Sequence, residues 1–332
     1  MGEDREKRRN PMKYIPPQFE TLDEMASIDV GRLTENEARA ILEKIRWPKG
    51  PVCPHCQSTN VIRLHSEIES STRDGVIQCR DCRKQFTVTV GTIMHRSHIT
   101  LRQWVQAFHS MCSHKKGVSA LQLQRNLGLH SYKAAWHLAH RIRFAMREMP
   151  LSMALRGTIE ADETYIGGKS HGGKRGRGAP KKTVVMALVE RNGRVRAKPV
   201  EMITANELKG NIRANVDKDS RIMTDELPSY TGIGKEFKGG HGVVHHGEGE
   251  YVRAGDIHVN GAESYFALLK RGVHGTFHHV SRKHLHRYCD EFSFRWDERK
   301  VTDGERTVAA IKGAEGRRLV YRPTTTQCRT IS

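Results

Sequence analysis

The stretch IEADETYIGGK, residues 159–169, places three carboxylates within four residues, with apolar residues around them and two glycines behind. Its mixture of apolar and polar residues predicts a β-strand. Asp162 follows the segment TIEA and is the candidate metal ligand. Glu160 and Glu163 are expected to alternate away from the Asp162 face or to lie in its turn, supporting the site or facing solvent. The stretch therefore predicts a strand that begins an acidic site.

Two further acids stand in comparable settings later in the chain. Asp225 ends the apolar run RIMT, and Glu263 lies one turn into the helix predicted for VNGAESYFALLKRG. Lys270 follows seven residues after Glu263, close to two helical turns, so the two share one helix face. Carboxylates from different elements can hold two Mg²⁺ ions about 3.5–4 Å apart for phosphodiester chemistry. Each acid alone is typical of a surface, whereas the ordered set with the lysine indicates a metal site.

A glycine-rich basic segment, GGKSHGGKRGRGAPKK at residues 167–182, follows Asp162. It contains no acid, and its glycines make it flexible. Because the segment begins beside the acidic site, it is predicted to contact DNA phosphates. A solvated loop is the alternative. The basic residues assigned to DNA contact are Lys174, Arg175, Arg177, Lys181 and Lys182.

Four of the seven cysteines form two Cys-x-x-Cys pairs, Cys53/Cys56 and Cys79/Cys82, with 22 residues between the pairs. Strand-like segments flank them, which is typical of a zinc ribbon whose four thiolates hold one structural Zn²⁺. The metal would supply much of the folding energy of so small a segment. A redox dithiol is the alternative, but it needs only one pair. A catalytic zinc is disfavoured because all four positions are filled.

Residues 99–148 have the pattern of three consecutive helices separated by short glycine-containing turns. A helix, a short turn and a basic helix form the helix-turn-helix pattern of DNA-binding proteins. The last helix carries five residues that are predicted to face DNA, namely Lys133, His137, His140, Arg141 and Arg143. A plain three-helix bundle has the same periodicity and is the alternative.

The chain as a whole is strongly basic, with 56 Lys and Arg against 37 Asp and Glu and a net charge of +19 over 332 residues. Because the surplus is spread along the chain, it indicates a polyanionic partner, above all nucleic acid. No apolar run has the length of a transmembrane helix, and the charged N-terminus does not resemble a secretory signal. We therefore expect a cytoplasmic, nucleoid-associated protein without membrane contact.

These patterns predict five segments. They are a disordered tail with a short amphipathic helix (1–50), a zinc ribbon (51–90), a helical helix-turn-helix-like region (91–150), an α/β domain (151–300) and a polar C-terminal tail (301–332). Strands that are followed by alternating strands and helices indicate the α/β class for the fourth segment.

Four blocks follow the cysteine pairs in order, namely VGTIMHRSHITLRQWVQAF, ADETYIGGK, IMTDELPSY and NGAESYFALLKRG. In order and spacing the chain resembles, over about residues 30–300, the insertion-sequence DDE transposases of the group related to eukaryotic Merlin elements. The resemblance implies an RNase H-like α/β catalytic domain, with antiparallel edge strands, behind the zinc ribbon and helical region. It also implies metal-dependent cleavage at element ends and transfer of the freed 3′-hydroxyl into target DNA. The expected partners are double-stranded DNA and further copies of the chain.

Carried onto this chain, the resemblance assigns the first two catalytic residues to Asp162 and Asp225, with Mg²⁺ or Mn²⁺ as the metal. Members of the group have either Glu or Asn at the third position, and this chain offers both Asn260 and Glu263. Glu263 is preferred because Mg²⁺ favours its charge and because Lys270 stands at the spacing of the family. Asn260 is then a substitute or supporting ligand.

Other interpretations stay open at this stage. The sequence GAES differs from the TIES-like form of the family, in which a larger residue precedes the Glu. This difference concerns the packing of the predicted helix and leaves the ligand assignment unchanged. A zinc-ribbon DNA-binding regulator, or a domesticated transposase without catalysis, would keep the DNA-binding segments. A hydrolytic nuclease with the same site would use water in place of a DNA 3′-hydroxyl.

Overall fold

The computed structural model describes residues 27–64, 74–147, 153–167, 182–245, 252 and 256–321. The tail predicted to be disordered up to residue 20 lies outside these residues, as does all of the basic segment between 168 and 181. Within the described part, no helix combines the length and apolar character that crossing a membrane requires.

The chain begins with two helices and a small antiparallel sheet. These elements are α1 Ser27–Arg32, α2 Glu35–Arg46, β1 Val61–Arg63, β2 Ile77–Cys79 and β3 Gln85–Phe86, with β2 central in the sheet. A capping box starts α2, because the Thr34 hydroxyl accepts the Glu37 N–H and the Glu37 carboxylate accepts the Thr34 N–H. The two cysteine pairs lie in the turns of this sheet.

Three helices follow, as the periodicity predicts. They are α3 Leu101–Ser113, α4 Ala120–Leu127 and α5 Tyr132–Met146. Gly128 ends α4 in the left-handed conformation, at φ 61°, which a glycine adopts without steric cost. The turn to α5 is short, and Ser131 caps α5 by accepting the Ala134 N–H at 3.2 Å. The apolar sides of these helices share one core with the zinc-ribbon segment, centred on Trp104 and Phe108.

A five-stranded mixed sheet forms the second half of the molecule. Its strands are β4 Thr158–Ile166, β5 Thr183–Glu190, β6 Val195–Val200, β7 Arg221–Asp225 and β8 His241–Val244. The spatial order is β6-β5-β4-β7-β8, with antiparallel pairing from β4 to β6 and parallel pairing from β4 to β8. This arrangement confirms the α/β class with antiparallel strands at one edge, and is consistent with an RNase H-like fold.

Helices cover both faces of this sheet. They are α6 Ala205–Asn215 on one face, and α7 Asn260–Gly272 and α8 Leu285–Asp297 on the other. Successive strand residues point to opposite faces, and in β4 the side chains of Ile159 and Ala161 pack with the α6 core. Ile166 packs with the core of α7 and α8. The even-numbered residues of β4 therefore face α7, which places Asp162 beneath that helix.

The expectation of a polar C-terminal tail from residue 301 is wrong for its first part. Residues Asp303–Lys312 form helix α9, started by a capping box of Thr302 and Glu305. Ala310 and Ile311 are buried in the core that contains α3 and the zinc ribbon. The charged residues Asp303, Glu305 and Lys312 of α9 are exposed, so its low average hydropathy concealed an amphipathic helix.

Candidate active site and metal centres

The two cysteine pairs come together as predicted. The Sγ atoms of Cys53 and Cys82 are 3.7 Å apart, those of Cys56 and Cys79 are 3.5 Å apart, and all four lie within 4.8 Å of one another. A tetrahedral zinc with Zn–S bonds of about 2.3 Å requires S–S distances of about 3.8 Å. The four thiols therefore fit one structural Zn²⁺.

The two candidate aspartates lie on neighbouring parallel strands. β4 and β7 pair in a register that places Glu160 opposite Met223. Continued by two residues, the same register places Asp162 opposite Asp225, at the end of β7. Neighbouring strands are about 4.8 Å apart, and residues in register point to the same face. Both carboxylates therefore lie on the face of the sheet that α7 covers.

Helix α7 brings Glu263 to this pair of aspartates. The helix contacts β4 and β5, and its buried Ala262 packs against the sheet. Burial, together with the nearby carboxylates of Glu163, Asp225 and Glu263, raises the pKa of Asp162 to about 7. A buried carboxyl group among like charges is ionised most readily when a cation is present. The donor set therefore fits hard divalent cations such as Mg²⁺, which prefer oxygen ligands.

The spacing of the carboxylates differs from that of the thiols. Among the residues that the structure describes, the four cysteines are the one group of three or more such ligands with all donor atoms within 4.8 Å. Asp162, Asp225 and Glu263 are therefore spread more widely than ligands of a single small ion. Asn260 is exposed at the first position of α7, and Lys270 is half-buried two turns beyond Glu263.

Glu160 lies on the same face as Asp162, and the expectation that it turns away or faces solvent is wrong. Its side chain is 1% exposed. One carboxylate oxygen, Oε2, accepts the backbone N–H of Gly261 at 2.6 Å and that of Ala262 at 3.1 Å. The contact joins the strand of Asp162 to the first turn of α7. Strand alternation indicates the shared face, because residues two apart point the same way, but the sequence does not indicate the partner.

Glu163 occupies the opposite face, in agreement with its expected alternation. Its carboxylate accepts the hydroxyl of Tyr230 at 2.9 Å, and Tyr230 is buried. Tyr230 ends the 3₁₀ turn Pro228–Tyr230, which begins shortly after Asp225. Within that connection the Leu227 N–H donates to Asp225 Oδ1 at 3.1 Å. The two strands that carry aspartates are thus also joined on the face away from α7.

The prediction that His140, Arg141 and Arg143 face DNA is wrong. The exposed fractions of the two arginines are 6% and 2%, and His140 is fully buried. Arg143 Nε donates to Glu291 Oε2 at 2.6 Å, in a pair that is buried on both sides. Arg141 donates to the His95 carbonyl at 3.0 Å and lies over the Trp104 ring. Both guanidinium groups therefore belong to the interior between α5 and its neighbours, where neither reaches a phosphate.

One exposed surface of the helix-turn-helix-like region lies at the α4–α5 turn and the first turn of α5. Exposed residues there are Arg125, Asn126, His130, Ser131, Tyr132 and Lys133. The N-terminal part of the second helix is the part that contacts base edges in helix-turn-helix proteins. Of the basic segment predicted to contact phosphates, Lys182 is described and half-buried just before β5. Lys174, Arg175, Arg177 and Lys181 lie outside the described residues.

A zinc-ribbon segment, a helical region and a mixed α/β domain with aligned carboxylates define a DDE-type transposase architecture. Comparison with protein families agrees with this class. Residues 154–297 match the family described as the ISXO2-like transposase domain, and residues 33–85 match the transposase zinc-ribbon domain. The chain therefore carries an IS1595-family transposase domain behind a transposase zinc ribbon, and it is a DNA transposase. The predicted insertion-sequence family is confirmed, while the relation to Merlin elements stays a prediction.

Two known proteins illustrate the similarity. A curated relative from Halobacterium salinarum, described as an uncharacterized protein in transposable element ISH50, is 28% identical over 281 residues. The alignment covers 79% of this chain and 91% of the relative. The crystal structure of a pre-cleavage Mos1 transpososome matches at 14% identity, covering 58% of this chain and 74% of that chain with a TM-score of 0.20. A TM-score this low carries no argument about the fold.

Proposed function

We propose that this transposase cleaves DNA at the ends of its mobile element and joins the freed 3′ ends to target DNA. In this proposal Asp162, Asp225 and Glu263 hold two divalent cations, Mg²⁺ or Mn²⁺. The observation that supports it best is the register of β4 and β7, which aligns the two aspartates beneath the helix that carries Glu263. The name of the Halobacterium relative, which refers to a transposable element, is consistent with this substrate.

The positions of the carboxylates suggest how the cations would be held. Asp162, Asp225 and Glu263 would together hold the cations, since the two aspartates are aligned in register on neighbouring strands and the carboxylate of Glu263 acts on Asp162. When bound, two such cations activate the attacking oxygen and stabilise the leaving oxygen of a phosphodiester. Lys270 lies two turns from Glu263 on α7, where its ammonium group would bind a phosphate of the DNA end.

DNA would be bound by a separate surface as well as by the catalytic site. The exposed first turn of α5, with Lys133, is the part of the helical region available to a DNA groove. The net charge of +19 supplies affinity for phosphates without sequence preference. Acting on two element ends at once requires two end-binding surfaces, so we propose a homo-oligomer as the active form.

A strand-transfer assay tests the catalytic proposal. The substrate is a labelled duplex that ends in the terminal repeat found beside the gene, incubated with plasmid target and Mg²⁺. Asp162→Asn and Asp225→Asn are expected to lower the rate by more than about 100-fold. Asp219→Asn is the matched control, because that aspartate is exposed and paired with Lys238 on the surface. Transfer by Asp162→Asn at the wild-type rate would show that the site is assigned wrongly.

The products of the same assay separate the remaining interpretations. Label that becomes covalently joined to the plasmid identifies attack by a DNA 3′-hydroxyl. Label that is released only as shorter fragments identifies attack by water, as in a nuclease. A non-catalytic derivative would bind the labelled duplex and yield neither product with Mg²⁺ or Mn²⁺.

A further inference from the structure

Glu160 links the two elements that carry the proposed catalytic residues. The two carboxylate oxygens of its side chain contact different neighbours. Oε2 accepts the N–H groups of Gly261 and Ala262 at the start of α7. Oε1 accepts Arg191 Nε at 2.8 Å and lies 3.2 Å from His258 Nδ1. The carboxylate therefore accepts three hydrogen bonds in a site where its own exposure is 1%.

We propose that Glu160 is a positioning residue, which fixes the distance between Asp162 and Glu263 by anchoring the first turn of α7 to β4. The inference rests on the proposed catalytic roles of those two residues. Glu160 and Asp162 are separated by about 6.6 Å along a strand, and Gly261 is two residues from Glu263 in one helical turn. Movement of α7 along β4 would therefore have to break both backbone hydrogen bonds to Glu160.

A carboxylate suits this position for two reasons. The first N–H groups of a helix have no partner within the helix, and the helix dipole places partial positive charge at the same end. Val259, which precedes α7, provides no side-chain cap. Glu160 thus supplies from a neighbouring strand the acceptor that a capping Ser or Asp usually supplies. Arg191 balances its charge from the other side.

Gly261 provides independent support, since the contact requires a residue without a side chain. A Cβ at position 261 would lie 2.7 Å from Glu160 Oε2 and 3.4 Å from a methyl group of Val189. An alanine at position 261 would therefore push the end of the Glu160 side chain away from the two N–H groups of α7. Packing therefore explains the sequence GAES. Gly261 leaves space for the Glu160 side chain, and the small Ala262 is fully buried against the sheet.

Glu160 is distinct from the metal-holding carboxylates. Each of its oxygens accepts from N–H donors, Oε2 from two backbone groups of α7 and Oε1 from the Arg191 side chain. Its neutral analogue should therefore leave the metal-binding carboxylates in place while loosening their spacing. Loss of partners that orient metal ligands typically costs 10–100-fold in activity or metal affinity, and a similar effect is expected here.

The test compares full-length Glu160→Gln and Gly261→Ala with Glu201→Gln, a carboxamide control at an exposed glutamate. Strand transfer is measured below the melting temperature, per folded and zinc-loaded molecule, over a series of Mg²⁺ concentrations. Both test variants are expected to lower kcat by about 10–100-fold and to raise the Mg²⁺ concentration for half-maximal rate. KM for end DNA should stay within about twofold, since the anchor does not touch the DNA-binding surface. The double variant should be no less active than the less active of the two single variants, because both changes remove the same contact.

A purely structural role would lower the melting temperature while leaving kcat per folded molecule and the Mg²⁺ requirement unchanged, and that result would overturn the inference. Amide hydrogen exchange of residues 257–266 provides a readout that does not depend on activity. Glu160→Gln should accelerate exchange there, and unchanged exchange would also overturn the inference. If the wild-type protein transfers no strands, the proposed function fails, whereas the exchange result still decides whether Glu160 anchors α7.

Discussion

Replacing Arg143 by Met is expected to destabilise the protein without weakening its contact with DNA. Arg143 forms a buried pair with Glu291, and Arg295 donates to the other oxygen of Glu291 at 2.7 Å. The guanidinium of Arg143 also lies over the ring of Tyr288, with its Cζ 4.1 Å from the ring centre. Met fills a comparable volume but supplies neither charge nor donor, so Glu291 would keep one of its two cationic partners.

The size of the effect follows from the burial of this pair. Removing one partner of a buried ion pair typically costs 3–5 kcal/mol, since the other charge is left uncompensated. Because Arg295 still neutralises Glu291, we expect a loss near the lower limit, about 3 kcal/mol. For a cooperative unit of about 150–250 residues, each kcal/mol lowers Tm by about 2–4 °C. The expected decrease in Tm is therefore about 6–12 °C.

Thermal unfolding followed by circular dichroism measures the stability, and fluorescence anisotropy with labelled end DNA measures Kd at several salt concentrations. Lys133→Met is the matched control, since Lys133 lies on the same helix but is exposed. It should leave Tm nearly unchanged and weaken DNA binding. If Arg143→Met melted at the wild-type temperature and reduced the slope of log K against log salt by about one, Arg143 would be a phosphate contact after all.

Four further outcomes are expected. Lys133→Met should reduce the salt slope of DNA binding by about one, and an unchanged slope would move the DNA surface away from the first turn of α5. Cys79→Ser should abolish binding of one zinc per chain and leave the ribbon open to protease, whereas retained zinc at full occupancy would exclude a four-thiolate site. Ile311→Ala should cost about 2–5 kcal/mol in a denaturant titration, because α9 is part of the core, whereas a peripheral tail would show almost no loss. Burial tends to raise the pKa of Glu291, but Arg143 and Arg295 outweigh it and hold the pKa below 4.5. The stabilisation contributed by ionised Glu291 is therefore fully present above about pH 4.5 and is lost as pH falls through the folded-state pKa. Glu291→Gln should lack this pH-dependent part of the stability.

The parts of the site that local sequence patterns determine were predictable. The zinc ligands follow from two Cys-x-x-Cys pairs, because the spacing itself builds the two turns that hold a metal. Asp162 and Asp225 follow from acids at strand positions, and the register of β4 with β7 brings them together. The apolar stripe of α7 fixes which side of the helix faces the sheet, and Glu263 is exposed beside that stripe.

Contacts between distant segments were not predictable from local pattern. Arg143 looks like a surface residue of a basic helix, and its partner Glu291 is 148 positions away. Glu160 looks like one of three similar acids, and only the approach of α7 distinguishes it. Helix α9 was missed although Thr302 and Glu305 show capping-box spacing, since its burial depends on a core built by the first half of the chain.

The position of α9 has a consequence for how the protein is made. Ala310, Ile311 and Ala314 complete a core whose other buried members come from residues 30–146, and Glu315 pairs with Arg46 at 3.2 Å. The whole catalytic domain is thus inserted between two parts of one folding unit. During synthesis the N-terminal region leaves the ribosome first but lacks its last helix until the catalytic domain has also emerged. A prematurely terminated chain therefore lacks a complete core, and unfinished copies would be poor competitors of the full-length transposase for element ends.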